Sequence, residues 1–346
     1  MPEPLLSVRD LAVEFSTEDG VVHAVNGVSY DVYPGEVLGV VGESGSGKSV
    51  GVMSLLGLIP QPPGKITSGE AMFDGQDLLK MPKKQLRRLR GDDVAMVFQD
   101  PMTSLNPVLR VGDQLGEAIA THRPELKRAE VKSRVIQLLE LVGVPNPETR
   151  YSQYPHEFSG GMRQRAMIAM AIANEPKLLI ADEPTTALDV TIQAQVIEVL
   201  KKAQEETHAA TILITHDLGL VAELCDRVAV MYAGRIVEMG DIYTIFANPR
   251  HPYTVGLMDS LPKLVGEEEM LRPITGQPPS LINLPPGCAF HPRCFLSGGR
   301  MRCRTEVPPL RPYGDSQHLT ACHFAEELQE RHPERAATGG HEVIAP

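Results

Sequence analysis

The sequence predicts an α/β domain built on a largely parallel sheet, followed by a proline-rich extension. Up to about residue 240, short apolar runs of buried-strand length alternate with helical patterns, which is typical of parallel sheets with crossover helices. From about residue 248 the periodicity stops and prolines become frequent, as in "NPRHPY" and "GQPPSLINLPPGC". We therefore place an α/β domain at 1–245 and an extension at 246–330. Segment 331–346 is polar and non-periodic, and we expect it to be disordered.

The period of the apolar residues predicts the individual elements. Helices are expected over 48–59 and 129–143, because apolar residues recur there at helical spacing. The second helix has one apolar stripe, made of Val131, Val135, Leu138, Leu139 and Val142. Buried strands are predicted over 35–42, 93–99, 177–182, 210–215 and 226–232.

Composition and charge narrow the class of protein. The chain is 42% hydrophobic, which is ordinary for a soluble globular protein, and its net charge of −11 argues against a nucleic-acid binder. The basic run "KKQLRRLR" at 83–90 is interpreted as a solvated helix face. No apolar run approaches the roughly 20 residues that span a bilayer, and no secretory signal pattern is visible. We therefore expect a cytoplasmic protein whose five cysteines do not form structural disulfides.

Residues 42–49, "GESGSGKS", match the phosphate-loop pattern G-x-x-x-x-G-K-[ST] between a predicted strand and a predicted helix. Gly42, Gly45 and Gly47 allow backbone N–H groups to approach phosphate oxygens, and the following helix presents its positive end. Lys48 is placed to reach the β- and γ-phosphates, and Ser49 offers a hydroxyl to Mg²⁺. The alternative is a glycine- and serine-rich turn, which the flanking strand and helix disfavour. We also assign to this nucleotide site Glu43, Ser44, Ser46 and Val50.

A second acidic strand completes the pattern expected of a triphosphatase. In "KLLIADEPTTALD", Asp182 ends an apolar strand and can hold Mg²⁺ through water. Glu183 follows it, where its carboxylate could polarise the attacking water. The phosphate loop and this pair must meet at the carboxyl edge of one sheet, which makes the combination far more specific than either motif alone.

The segment "FSGGMRQR" at 158–165 resembles the signature sequence of ABC-type ATPases. The resemblance implies a RecA-like parallel-sheet core, an antiparallel β subdomain and an α-helical subdomain at about 100–160. It also implies that two cassettes close head-to-tail over two ATP molecules. The signature residues that would face the nucleotide of the partner subunit are Ser159, Gly160, Gly161 and Gln164.

Further residues match this family in the expected order. Gln99 in "MVFQDP" resembles the glutamine that contacts Mg²⁺ and water at the hinge to the helical subdomain. Asp189 resembles the family's D-loop aspartate, and His216 the switch histidine at the γ-phosphate. Phe15, or alternatively His23, occupies the place of the aromatic residue that packs on adenine.

Several stretches resemble the oligopeptide/dipeptide branch of ABC importers, namely "VFQDPMTSLNP", "YPHEFSGGMRQR", "NPRHPYT" and "PPGCAFHPRC". "GLIPQPPGKITSGE" resembles the first of the two paralogous ATPase subunits of such importers. The implied role is an ATP-hydrolysing motor at the cytoplasmic face of the inner membrane. Its implied partners are a second ATPase subunit, two transmembrane permease subunits, and a periplasmic or lipid-anchored peptide-binding protein. The second ATPase subunit is either a paralogue, which the family favours, or a second copy of this chain.

Three alternative functions remain open at this point. One is a soluble ABC ATPase of DNA repair or translation, although such proteins usually carry two cassettes or a long coiled-coil insert. Another is an importer of nickel or another small solute. The third is a regulatory iron–sulfur protein with a vestigial ATPase, against which intact Lys48, Asp182, Glu183 and His216 argue.

Four of the five cysteines cluster in the extension, with the spacing C-x5-C-x8-C-x18-C. These gaps exceed the C-x2–4-C opening of structural zinc sites and suit an iron–sulfur cluster at least as well. The resemblance implies a [4Fe–4S] cluster on Cys288, Cys294, Cys303 and Cys322. Zinc and unliganded thiols are the alternatives, and the other candidate ligands nearby are His291, His318 and His323. Cys225 has apolar neighbours, and we expect it in the core.

Overall fold

The computed structural model describes residues 3–100, 104–186, 188–260, 274–314 and 317–328. The expected disorder of 331–346 lies outside these residues. A four-stranded antiparallel sheet in the order β2-β1-β4-β5 forms the N-terminal layer. Its strands are β1 Leu6–Thr17, β2 Gly20–Val32, β4 Gly64–Phe73 and β5 Gln76–Asp77. This layer corresponds to the antiparallel β subdomain that the resemblance implied.

The second sheet has the order β11-β12-β10-β9-β3-β8-β7-β6 within the described part of the chain. Its five strands from β9 to β6 are parallel, whereas β10, β12 and β11 run antiparallel to their neighbours. The strands are β3 Val37–Val41, β6 Val94–Val97, β7 Leu178–Asp182, β8 Ala210–Thr215, β9 Arg227–Tyr232, β10 Arg235–Asp241, β11 Arg311–Pro312 and β12 Leu319–Thr320. Each of the five predicted strands coincides with one of the parallel strands, so the predicted parallel sheet is confirmed.

The helices cover both faces of this sheet, and those within about 100–160 form the helical subdomain, called the helical insert below. They are α1 Lys48–Leu55, α2 Lys83–Leu89, α3 Val111–His122, α4 Arg128–Leu141, α5 Pro147–Arg150, α6 Gly160–Ala171, α7 Val190–Thr207, α8 Leu218–Leu224, α9 Ile242–Ala247, α10 Pro252–Asp259 and α11 Met301–Thr305. The predicted helix at 48–59 ends early because Gly57 has a left-handed φ of 59°. In the described ranges, no helix is both long and apolar enough to cross a membrane.

The sheet core explains the unbroken apolar strands of the sequence. Along β7, Leu179 and Ala181 join the core on one face of the sheet, while Leu178 and Ile180 join the core on the other. A strand buried on both faces needs apolar residues at every position. Cys225 is buried in the first of these cores, where burial raises the pKa of its thiol to about 12, as expected for an inert core cysteine.

The extension is joined to the sheet through β12, which pairs with β10. Beside this junction, the fully buried carboxylate of Glu238 accepts the backbone N–H groups of Arg250 and His251. It also contacts Nε2 of His318 at 2.7 Å. These contacts fix the start of the extension against the ATPase core. The division of the chain at residue 245 stays a prediction.

Candidate active site

The phosphate loop follows the carboxyl end of β3, and its glycines are required by its geometry. Gly45 and Gly47 have φ angles of 76° and 97°, in the left-handed region that favours glycine. A Cβ at Gly47 would also lie 2.2 Å from the carbonyl oxygen of Ala24. A side chain at this position would therefore displace the loop from the start of α1.

Lys48 is the first residue of α1, and the loop wraps around its side chain. Its Nζ donates to the carbonyl oxygens of Gly42 and Glu43 at 2.8 and 3.0 Å, and the residue is only 5% exposed. Burial lowers the pKa of Lys48, while the carboxylates of Glu183, Asp182 and Glu43 oppose that shift. The Lys48 side chain is therefore buried near three carboxylates, and its ammonium group could form an ion pair with a phosphate.

Ser49 and Asp182 join the two sequence motifs. The Ser49 hydroxyl donates to Oδ1 of Asp182 at 2.7 Å, although 133 residues separate them. Burial raises the pKa of Asp182, and the hydrogen bond from Ser49 lowers it. A hydroxyl and a buried carboxylate in contact form a suitable oxygen donor set for Mg²⁺. Nearby in the loop, the buried Oγ of Ser46 has no hydrogen-bond partner among the described residues, and a phosphate oxygen could satisfy it.

The three predicted catalytic side chains meet at the carboxylate of Glu183. Nε2 of Gln99 donates to it at 2.9 Å, and Nδ1 of His216 lies 3.8 Å away. Glu183 has a φ of 45°, an uncommon conformation for a non-glycine residue and one that often marks functional sites. Thr186 also donates its hydroxyl to this carboxylate at 2.9 Å. Our sequence analysis missed Thr186, because nothing in the spacing of "DEPTTALD" distinguishes it.

Glu43 has a different environment from the one expected for a phosphate-binding residue. Its side chain forms a bidentate ion pair with Arg293 at 2.6 and 2.9 Å, and its backbone N–H donates to the hydroxyl of Tyr253 at 2.8 Å. Sequence analysis missed both partners, because they lie at least 210 residues away, outside the α/β pattern. These contacts of Glu43 connect the phosphate loop to the extension.

The signature segment forms the exposed start of α6. The hydroxyl of Ser159 caps this helix by accepting the N–H of Met162 at 3.3 Å, and Gly160 follows it at the surface. Gly161 packs closely on Ile192, which is held by the helix cap of Asp189. The signature and D-loop segments are therefore adjacent within one chain.

Gln164 lies on the inner face of α6. This residue is 1% exposed, and it shares a helix face with the buried residues Gly161 and Ile168. Its side chain therefore faces the inside of this chain rather than the exposed start of the helix. The contact of Gln164 with a nucleotide of the partner subunit stays a prediction.

The remaining assigned residues lie at the edges of the loop and the β subdomain. Ser44 is exposed, and Val50 is half-buried against the core of the N-terminal layer. Phe15 also packs on that core and pairs with Gly64 across two strands. Nδ1 of His23 lies 2.9 Å from the Glu14 carboxylate. The choice between Phe15 and His23 as the adenine contact stays a prediction.

The four clustered cysteines are free thiols that line one small cavity of the extension. Burial raises the pKa of each, to about 11 for Cys294 and about 12 for Cys322. Within the described residues, no group of three or more potential ligands is arranged to bind a metal ion. The nearby histidines have other contacts: His291 with the Cys288 carbonyl, His318 with Glu238, and His323 with the Glu306 carbonyl.

Comparison with known proteins assigns the family. The family model for ABC transporters matches residues 25–186, and that for the C-terminal region of oligopeptide/dipeptide transporters matches residues 237–300. The dipeptide transport ATP-binding protein DppD of Bacillus subtilis is 50% identical over 338 residues, which cover 98% of each chain. The chain belongs to the OppD/DppD family of ABC-transporter ATP-binding proteins.

Other comparisons agree with this assignment of an OppD/DppD-type protein. The oligopeptide transport ATP-binding protein OppD of Escherichia coli is 48% identical, covering 92% of this chain and 93% of its own. Among solved structures, the dimeric ATP-binding cassette MJ0796 bound to ADP and Pi is 25% identical. It matches with a TM-score of 0.61 over 68% of this chain and 98% of its own. This OppD/DppD-type chain is therefore an ABC-type ATPase with the cassette fold.

Proposed function

We propose that this chain binds ATP and Mg²⁺ at the phosphate loop and that its hydrolysis of ATP drives peptide uptake through a membrane permease. One observation carries the proposal: the Ser49–Asp182 and Gln99–Glu183 hydrogen bonds bring four predicted residues from three separate segments to one sheet edge. This is the edge at which ligands bind in open α/β sheets. The similarity to DppD and OppD supports peptides as the transported solute.

The chemistry follows from the positions of the side chains. Lys48 and the N–H groups at the start of α1 would hold the β- and γ-phosphates, with Ser49 and Asp182 as the Mg²⁺ ligands. The metal supplies charge neutralisation at the phosphates. Glu183 would accept a proton from water as the water oxygen bonds to the γ-phosphorus and the bond to the β,γ-bridging oxygen breaks. Gln99 and Thr186 hold this carboxylate in place, and His216 lies where it can contact the γ-phosphate.

Hydrolysis requires a second cassette in this proposal. The start of α6, with the exposed residues Ser159 and Gly160 followed by the buried Gly161, would contact the γ-phosphate of ATP bound to the partner. Asp189 lies on the adjacent segment and would face the same interface. The dimeric form of the MJ0796 cassette supports such an arrangement. We propose that the partner is a paralogous ATPase subunit.

A groove beside Gln99 is proposed as the docking site for the permease. Its volume is about 590 Å³, and it lies between β6 and the helical insert. Its walls include the partly exposed apolar side chains of Phe98 and Leu109 and residues of α3 and α6. A cytoplasmic helix of a permease subunit would fit such a groove. Its insertion would place the ATPase peripherally at the cytoplasmic face of the inner membrane, with a peptide-binding protein supplying the solute on the other side.

We further propose that Cys288, Cys294, Cys303 and Cys322 hold a [4Fe–4S] cluster. The proposal is supported by the four thiols that line one cavity beside apolar residues such as Leu296 and Phe324, and by the other contacts of the nearby histidines. Thiolate ligation would require deprotonation of buried thiols, as metal binding to cysteine generally does. Anaerobically purified protein should contain about four irons and four sulfides per chain, lost on replacing Cys294 and Cys303. Zinc instead of iron, or no metal, would overturn the assignment.

The transport function is tested by complementation. A bacterial strain lacking its own OppD/DppD-type subunit should regain uptake of a radiolabelled dipeptide or tripeptide when it expresses this chain with its cognate permease subunits. The Lys48→Ala variant, expressed at the same level, should not restore uptake. Uptake of nickel but not of peptides would contradict the proposed substrate, and recovery of the chain with DNA or ribosomes rather than permeases would contradict the transport role.

A further inference from the structure

Arg293 connects the extension to the phosphate loop. Its guanidinium donates twice to the Glu43 carboxylate, and its side chain is 5% exposed against 27% for Glu43. Nε of Arg293 donates to the carbonyl of Thr275 at 3.1 Å, and Nη1 approaches the hydroxyl of Tyr232 at 3.4 Å. A bidentate, mostly buried arginine–carboxylate pair is among the stronger charge-assisted contacts in proteins.

An aromatic cluster holds this arginine in place. The rings of Tyr232, Tyr253 and Phe290 pack on one another with centroid separations of 4.6 to 5.4 Å. The Arg293 guanidinium lies 5.8 Å from the Tyr232 ring and 6.0 Å from the Phe290 ring. Tyr253, which is fully buried, accepts the backbone N–H of Glu43. Both the side chain and the backbone of Glu43 are thus fixed by residues outside the phosphate loop.

The charge of Glu43 is significant because of its position. The residue follows Gly42, and its carbonyl accepts a hydrogen bond from the Lys48 ammonium. An unpaired carboxylate in this loop would repel the phosphates of ATP and compete with them for Lys48. Arg293 supplies the compensating positive charge from a distant part of the chain. Asp182 and Glu183 already place two further acidic groups near Lys48, so this compensation matters more here than in an electrically neutral pocket.

We propose that Arg293 is a positioning residue of the nucleotide site, which neutralises and holds Glu43 so that the extension sets the affinity of the phosphate loop for ATP. The inference rests on the proposed function of that loop. It extends the function to a residue beside Cys294, in a part of the chain that lies outside the phosphate-binding machinery. If Arg293 had only a structural role, it would also join the extension to the phosphate loop. Its effect on the affinity for ATP would then not depend on the charge of residue 43.

A charge-rescue experiment distinguishes these two roles. The ATP dissociation constant, and the KM and kcat for ATP hydrolysis, are measured on the full chain for wild type, Lys48→Ala, Arg293→Met, Arg293→Lys, Glu43→Gln and the Arg293→Met/Glu43→Gln double variant. Methionine keeps most of the volume of the arginine stem without its charge. We expect Arg293→Met to raise the dissociation constant and KM about tenfold with kcat within about twofold, because one unpaired charge acts on a polyanion.

The double variant and Arg293→Lys give the decisive comparison. Adding Glu43→Gln to Arg293→Met should return the dissociation constant to within about threefold of wild type, because no unpaired carboxylate remains. Arg293→Lys, which keeps the charge, should also stay within about threefold, and it preserves the test if the methionine variant does not fold. The proposal is overturned if folded Arg293→Met binds ATP as tightly as wild type does. It is also overturned if the double variant binds ATP as weakly as Arg293→Met, or if Arg293→Lys loses as much affinity as Arg293→Met.

The Lys48→Ala variant separates this proposal from the one on which it rests. If Lys48→Ala loses ATP binding and Arg293→Met binds ATP normally, the assignment of the phosphate site is supported and the role of Arg293 is refuted. If Lys48→Ala binds ATP as wild type does, the assignment of the phosphate site itself is wrong.

Discussion

Gln99 and Glu183 are joined by a side-chain hydrogen bond of 2.9 Å, although 84 residues separate them in the chain. Gln99 follows β6 at the entry to the helical insert, and Glu183 follows the neighbouring strand β7. A movement of the insert that displaces Gln99 therefore changes the hydrogen bonding of the proposed catalytic base. This contact would couple the proposed docking of a permease to hydrolysis.

Replacing Glu183 with Gln should stop turnover while preserving ATP binding. Glutamine has nearly the same shape but cannot accept a proton from the attacking water, so the loss in kcat should be at least about 100-fold. The variant should retain ATP and accumulate as a closed dimer of cassettes. Steady-state ATPase assays and size-exclusion chromatography with ATP measure both effects. Turnover at the wild-type rate would show that Glu183 is not the base.

The Ser49 hydroxyl gives a matched pair of variants. Ser49→Ala removes the group that contacts Asp182, and we expect it to lower Mg²⁺-dependent hydrolysis about tenfold or more. Ser49→Thr keeps the hydroxyl and should remain active, since the phosphate-loop pattern accepts either residue. The measurement is kcat/KM over a Mg²⁺ titration. Equal activity in the two variants would argue against Ser49 as a metal ligand.

Gly161 and Gly160 are adjacent but differ in the space around them. A Cβ at Gly161 would lie 2.7 Å from Cγ2 of Ile192, whereas one at Gly160 would meet its nearest neighbour at 3.7 Å. Gly161→Ala should therefore destabilise the fold by about 1–2 kcal/mol through overpacking. Gly160→Ala should leave stability unchanged or slightly higher, because alanine favours helices. Thermal unfolding compares the two, and equal midpoints would contradict the close packing of α6 on α7.

Glu238 should be essential for attaching the extension. Its buried carboxylate accepts two backbone N–H groups and contacts His318, so Glu238→Ala leaves several buried polar groups without a partner. We expect a loss of about 3–5 kcal/mol and faster proteolysis of the extension. Arg302→Ala, which removes an exposed ion pair with Glu306, is the control and should cost less than about 1 kcal/mol. Similar proteolysis rates for both variants would show that Glu238 does not hold the extension.

The cassette was predictable from sequence because its strands are buried on both faces. Runs such as Leu178–Asp182 have no polar residue before their last position, and the phosphate loop and Asp182 follow or end their strands at the same edge. The burial of Gln164 could also be predicted, because Gly161, Gln164 and Ile168 follow the helical spacing of one face.

The contacts of the extension were not predictable in the same way. Arg293 and Tyr253 meet Glu43 only because a proline-rich segment returns to the phosphate loop, and a non-periodic segment gives no signal for its path. Thr186 was missed for another reason. Its segment contains more than one hydroxyl, and only the structure shows that the Thr186 hydroxyl donates to the carboxylate of Glu183, whose backbone is left-handed. Local periodicity thus identified the scaffold, whereas long-range contacts of irregular segments determined part of the site.

The most direct test of the account is the ATPase activity of the complete importer in proteoliposomes. The chain is reconstituted with its permease subunits and paralogous ATPase, and hydrolysis is measured with its binding protein in the presence and absence of peptide. We expect peptide-loaded binding protein to raise the hydrolysis rate severalfold and Glu183→Gln to abolish the stimulated rate. If the importer in the vesicles binds ATP but hydrolyses it at the same rate with and without peptide, the chain is not a peptide-coupled motor.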